Sequence, residues 1–199
     1  MSLSVILFIM ESSNGWKPLT MVIIRPTASL AKKMKVKLDP SKAKSTTVLG
    51  DWLAIDFVMN RKQYILCMSA KSRLSIVMQA APYSKFPYRL ENDLYVVLRE
   101  LGLDESIIEK ETNEMPDFTL AKTNNRSILG TMKEFIEDLT VHCQLGRLDL
   151  NDTIGMSLLL SRNITLTLVE SYPYEAAFKM LGHKEVTPNN ILDFKKRNK

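Results

Sequence analysis

The sequence predicts an α+β domain: a mostly antiparallel sheet, built from a three-strand meander plus short edge strands, with helices packed on one face. Three observations carry that prediction. Three apolar, partly β-branched runs crowd between Trp52 and Gln79, and a parallel return between them would need a crossover of about a dozen residues. Met132, Phe135, Ile136, Leu139 and Cys143 recur at i, i+3, i+4, i+7 and i+11, the period of a helix with one buried face. The order of patterns is strand, helix, meander, helices, strand, helices, which is not the one-for-one alternation of a parallel α/β sheet.

Each element has its own signal. Met21 to Arg25 reads as a short strand, and Thr27 is placed to cap a helix over Ala28 to Met34. Residues 38–50 are polar and punctuated by Pro40 and Gly50, so they form a loop. Trp52 to Met59 is the first meander strand, Asn60-Arg61-Lys62 the turn, Gln63 to Met68 the return, and Arg73 to Gln79 the third strand. Pro82 and Pro87 bracket a further loop. From Arg89, the positions Leu90, Leu94, Val97, Leu98 and Leu101 predict a helix stopped by Gly102. Asp104 caps a second, acidic helix to Glu114, whose thin apolar stripe places it at the surface. Asp117 to Lys122 alternates like a strand. Thr131 with Glu134 three residues on matches a capping box, which predicts that the strongest helix begins at Thr131 and ends before Gly146. Shorter helices are predicted near Asp149 to Leu160 and Tyr174 to Leu181.

The domain reading has three parts. Residues 1–20 are an N-terminal extension ahead of a natural start at Met21, residues 21–182 are one α+β domain, and residues 183–199 are a polar, basic tail. The alternative for the extension is an additional edge strand over Leu3 to Met10. That apolar run is far short of the roughly 18 residues that span a bilayer. It also lacks a basic lead and a small-x-small cleavage site, so neither a membrane span nor a secretory signal is expected. Two cysteines, Cys67 and Cys143, make no disulfide framework, and the expected compartment is the cytoplasm.

The net charge of +5 is unevenly spread. Residues 21–90 hold thirteen Lys/Arg against three Asp/Glu, a balance of +10, while residues 91–160 hold six against fourteen, a balance of −8. A basic face for a polyanion is one reading; mutual compensation on packing is the other.

Recognised catalytic and metal signatures are missing from the sequence. His142 and Cys143 are helix neighbours that point about 100° apart, so they do not form a nucleophile–base pair. The two histidines lie 41 residues apart, with no Cys-x-x-Cys or His-Glu-x-x-His beside them. Asp149, Asn151 and Asp152 resemble the start of a calcium loop but lack its later glycine and glutamate, so helix capping accounts for them better. Glu109, Glu111 and Glu114 read as a solvated face. Trp52 and Phe57 fall on opposite sides of a strand, which argues against a base-stacking platform beside Tyr64, Arg61 and Lys62. No metal and no cofactor is implied.

The segment from Thr123 to Met132 is the exception. It sets Asn124, Asn125, Arg126, Ser127 and Thr131 next to a helix N-terminus, where free N–H donors and a partial positive charge favour an anion. Arg126 could grip a phosphate or carboxylate with two donors. A secondary candidate is the pair Arg61 and Lys62 in the hairpin turn.

Several segments resemble a family of small bacterial proteins classed as a domain of unknown function. They are Met21-Val22-Ile23-Ile24-Arg25, Leu30-Ala31-Lys32-Lys33, Gly50-Asp51-Trp52, the basic pair Arg61-Lys62, and Ala121 to Met132, with its Thr-Asn-x-Arg-Ser-x-Leu-Gly-x-Met core. Asn151 to Met156 and Tyr172-Pro173-Tyr174-Glu175-Ala176 follow the same pattern, except that Ile154-Gly155 replaces an Ile-Pro. The stretch Leu159 to Val169 is longer than in that pattern. The resemblance spans about residues 21–182 and implies no activity, ligand or catalytic residue. The resulting expectation is a non-enzymatic binding or interaction module for a protein partner or an anionic ligand. Alternatives are nucleic-acid association through the basic 21–90 half and an enzyme acting on a phosphate-bearing substrate at 123–132.

Overall fold

The computed structural model of the chain describes residues 21–40, 44–113, 115–123 and 125–183. The readings of residues 1–20 and of the tail from residue 184 therefore lie outside the described residues. Among the described residues, five strands and six α-helices follow in the order β1 (Val22–Pro26), α1 (Ala28–Met34), β2 (Trp52–Met59), β3 (Lys62–Ser69), β4 (Ser75–Gln79), α2 (Phe86–Glu100), α3 (Glu105–Thr112), β5 (Phe118–Leu120), α4 (Arg126–Gln144), α5 (Thr153–Leu160) and α6 (Pro173–Met180).

The meander forms as predicted. β2 pairs antiparallel with β3, and β3 with β4, through a two-residue turn at Asn60 and Arg61. Both turn residues have positive φ, 46° and 63°, as a tight hairpin with the native strand twist requires. The sheet as a whole is mixed, not mostly antiparallel. Its order is β4-β3-β2-β1-β5, and β1 runs parallel to both β2 and β5. The long connections explain this: residues 27–51 carry α1 back across the sheet, and α2 with α3 carry the chain from one edge of the sheet to the other.

Helices cover both faces of the sheet rather than one. Trp52, Ala54, Ile65, Cys67, Ile76 and Met78 share a core with Leu30 and Met34 of α1 and with Phe86, Leu90, Leu94 and Val97 of α2. Residues of opposite parity, Leu53, Phe57, Tyr64, Leu66, Met68 and Val77, pack on Ile128, Met132, Phe135 and Leu139 of α4. The sequence carries the reason: β2 and β3 are apolar on both parities, as strands buried on both sides are.

α5 stands over the β4 edge. Met156 and Leu160 join the α4-side core and Leu158 joins the other. The Val77 N–H donates to Ser157 Oγ at 2.8 Å, so a side chain occupies a backbone group that an added strand would otherwise take.

Three helix starts differ from the prediction, the simplest being α5, which begins at Thr153 after its cap Asp152 and not near Asp149. α2 begins at Phe86 and holds Pro87 in its first turn, where a missing N–H costs nothing. α4 begins at Arg126 with Asn125 as its N-cap, not at Thr131. Asn125 Oδ1 accepts from the Ile128 N–H at 3.1 Å, and Ile128 adds one more turn to the buried stripe. Thr131 lies inside the helix, where its hydroxyl donates to the Ser127 carbonyl at 3.5 Å.

Candidate functional site

β1 ends in a cation under the sheet surface. Arg25 lies opposite Leu53 in register, on the α4 side, and is 6% exposed. A charge so buried must be paired. Its Nε donates to Asp51 Oδ2 at 2.7 Å and its Nη1 to the Lys122 carbonyl at 2.8 Å. Asp51 uses its other oxygen to accept from the Ser45 N–H at 2.7 Å. Ser45 Oγ in turn accepts from the Ile23 N–H at 2.7 Å, and Thr46 Oγ1 from the Met21 N–H at 2.8 Å. One ion pair thus ties β1, the loop before β2 and the segment after β5 into a single polar junction.

The junction feeds directly into α4. Ala121 donates its N–H to the Ile24 carbonyl, and five residues later the helix begins. Asn125 is engaged in capping. Arg126 and Ser127 form the exposed first turn, and the Arg126 guanidinium makes no hydrogen bond or ion pair with any described residue. Thr123 Oγ1 is buried and has no hydrogen-bond partner among the described residues. Of the residues singled out from the sequence, Arg126 and Ser127 face solvent together, Asn125 and Thr131 serve the helix, and Asn124 lies outside the described residues.

The hairpin pair divides. Arg61 is exposed in the turn, whereas Lys62 opens β3 and donates to Asn151 Oδ1 at 2.8 Å. Trp52, Phe57 and Tyr64 are all core residues; Phe57 stacks on Tyr64 at 5.4 Å, and Trp52 faces the other way. Burial pushes the Tyr64 phenol up, and its hydroxyl donates to the Leu150 carbonyl at 2.7 Å. Cys67 is fully buried and its thiol is pushed up by that burial, which leaves it an inert core residue. Asp152 caps α5 by accepting from the Gly155 N–H at 2.7 Å, and a Cβ at Gly155 would run into the Asp152 carboxylate.

Sequence reasoning missed two acids. Glu111 is not solvated: it is 2% exposed, and its carboxylate accepts from the Val48 and Leu49 N–H groups, both at 2.9 Å. Glu109 is exposed as expected, and Glu114 lies outside the described residues. Asp51 was visible only as part of a motif. The signal for its role was Arg25, a lone cation in an apolar strand.

Among the described residues no group of three or more His, Cys, Asp or Glu could hold a metal ion, and no helix is long and apolar enough to cross a membrane. Fold and site define a small α+β domain with a mixed five-stranded sheet between helical layers and a polar junction at the start of α4. The chain belongs to the DUF6933 family, a domain of unknown function, whose model matches residues 23–176. No curated protein and no solved structure matches the chain.

Proposed function

We propose that this domain is a non-enzymatic binding module that takes a small anion, or an anionic group of a protein partner, at the first turn of α4. One observation carries the reading: the Arg126 guanidinium pairs with no described residue, three positions after a buried Thr123 hydroxyl that has no partner among the described residues, in a segment anchored by the Arg25–Asp51–Lys122 junction. A guanidinium can meet a phosphate or carboxylate with two parallel donors, and the first helical turn adds N–H groups and the positive end of the helix dipole. Three segments that resemble the family pattern, Ile24-Arg25, Gly50-Asp51-Trp52 and Ala121 to Ser127, meet at this junction. The same reading takes the protein as bacterial and cytoplasmic, on the family resemblance and on two cysteines that are both free thiols.

A thermal-shift series with the full chain tests it, using phosphate, nucleotides, and short DNA and RNA at low and moderate salt. A ligand bound only by the folded state at a hundred times its Kd stabilises by about 2.7 kcal/mol. The expected result is a rise in Tm with phosphate or a nucleotide that is lost in Arg126→Ala, with folding kept by circular dichroism. A response undiminished in Arg126→Ala overturns the site. A rise with DNA or RNA alone, erased by salt, assigns the activity instead to the basic 21–90 stretch, where Lys32, Lys35 and Lys37 are exposed.

A further inference from the structure

We propose that the open edge of β5 and the chain at residues 36–40 form a cleft that takes an extended, acidic segment of another protein as an added strand. β5 ends the sheet and has β1 on one side only. The Val22 N–H donates to the Asp117 carbonyl and the Ala121 N–H to the Ile24 carbonyl. Residues 117, 119 and 121 therefore turn their backbone groups towards β1, and Phe118 and Leu120 turn theirs outwards. Asp39 meets only one end of that outer row. Its N–H donates to the Leu120 carbonyl at 2.8 Å, and its carbonyl accepts from the Lys122 N–H at 3.1 Å. The Phe118 N–H and carbonyl and the Leu120 N–H bond to no described residue. From Asp39 back to Val36 the two segments part, because the Val36 N–H is held by the Ala31 carbonyl at the end of α1. The result is one open cleft of about 650 Å³, walled by Val36, Leu38 and Pro40 on one side and by Phe118 and Leu120 on the other. Tyr88 of α2 packs edge-on against Phe118 at 5.0 Å and fixes that wall.

Backbone and charge together select the occupant. A row of unpaired N–H and carbonyl groups beside an apolar cleft is a template for an extended chain, whose own backbone supplies the missing partners. Over residues 32–40, 44 and 115–123, six lysines stand against Asp39 and Asp117, and one of the six, Lys33, is bound by Asp56. Adding the neighbours outside the described residues, Lys42 and Glu114, leaves that excess unchanged. Lys35, Lys37 and Lys122 are exposed and pair with no described residue. A second copy paired edge to edge would bring these lysines together. A segment with apolar side chains at alternate positions and Glu or Asp between them fits both the cleft and its basic rim.

A synthetic peptide of alternating valine and glutamate serves as the probe. Its controls are the same peptide with lysine for glutamate and a copy methylated at its backbone amides. Fluorescence anisotropy with the full chain at low and moderate salt reads the affinity. The valine–glutamate peptide is expected to bind most tightly, salt to weaken it, and backbone methylation to abolish it. Lys37→Glu should weaken binding by about tenfold and flatten its salt dependence. Lys37 faces solvent, so this variant is expected to keep the wild-type Tm. In an NMR titration the largest amide shifts are expected at Phe118 and Leu120. Arg126→Ala should leave the affinity unchanged, which separates this cleft from the anion site at α4. Equal binding of the methylated peptide, affinity unmoved by Lys37→Glu, loss of binding in Arg126→Ala, or largest shifts elsewhere overturns the proposal. So does no binding of the acidic peptide, whether a second copy, seen as a dimer in light scattering, or the chain's own N-terminal residues hold the edge.

Discussion

At the scale of single residues, buried acids decide more than exposed ones. Glu111 sits with two backbone N–H groups as its partners, and removing it leaves both unsatisfied in the core. Glu111→Ala is expected to lose about 2–4 kcal/mol in urea denaturation, and Glu111→Gln less, because the amide oxygen still accepts one bond. Glu109→Ala, a solvated neighbour, should change stability by less than about 0.5 kcal/mol. Helical spacing sets Glu111, but not Glu109, on the face of Ile107 and Ile108. Helical periodicity tells which face a residue occupies, but not that the loop at Val48 and Leu49 will fold over it. Arg25 was legible in part: a lone cation inside Val22–Pro26 demands a partner, yet nothing local says that the partner is Asp51, 26 residues away.

At the scale of elements, competing caps and strand parity explain what the sequence told and what it withheld. Thr131 with Glu134 satisfied the capping-box pattern, but Asn125 caps as well and lets the helix include Ile128, so the earlier start buries more apolar surface. Asn125→Ala should cost about 1 kcal/mol, measured by denaturant midpoint. Strand β2 matched the prediction from end to end, because Trp52–Met59 is set off by Gly50 and the Asn60-Arg61 turn. The role of α5 was invisible, since its helix is apolar all round and gives no direction. Its Ser157 does the directing. Ser157→Ala is expected to destabilise by about 1 kcal/mol and to speed amide exchange at Val77 more than at other β4 positions.

At the scale of the whole molecule, the prediction of an α+β domain holds, but the layering came out differently because connection lengths, not strand patterns, set which strands lie parallel. The candidate site shows the same limit: Arg126 and Ser127 were named from local chemistry, while the junction beneath them is assembled from segments 26 and 97 residues apart in sequence. Stability should also depend on pH through Asp93 on α2. Burial raises its carboxyl above the ordinary value, with Arg89 opposing. A raised carboxyl favours folding while it is protonated, and that contribution is lost as pH rises through the folded-state value. At neutral pH the ionised group is therefore a cost. Asp93→Asn should raise stability at pH 7, with the gain vanishing below about pH 4, near the unfolded-state value.

The place of β1 between β2 and the edge strand β5 sets the order in which the molecule can assemble. Its neighbours are β2, which is made soon after it, and β5, which is made some ninety residues later. Strands β1 to β4 can associate while the chain is still growing, but one side of β1 stays open until Phe118–Leu120 arrives, and closing so long a loop is entropically slow. β5, the Lys122 contact to Arg25 and the first turn of α4 therefore form last and open first. In pulsed hydrogen exchange during refolding, the amides of Leu66 and Val77 should be protected before that of Ala121. The first turn of α4, where the anion is proposed to bind, is thus also the final seam of the fold, and a ligand there would hold closed the part of the molecule that opens most readily.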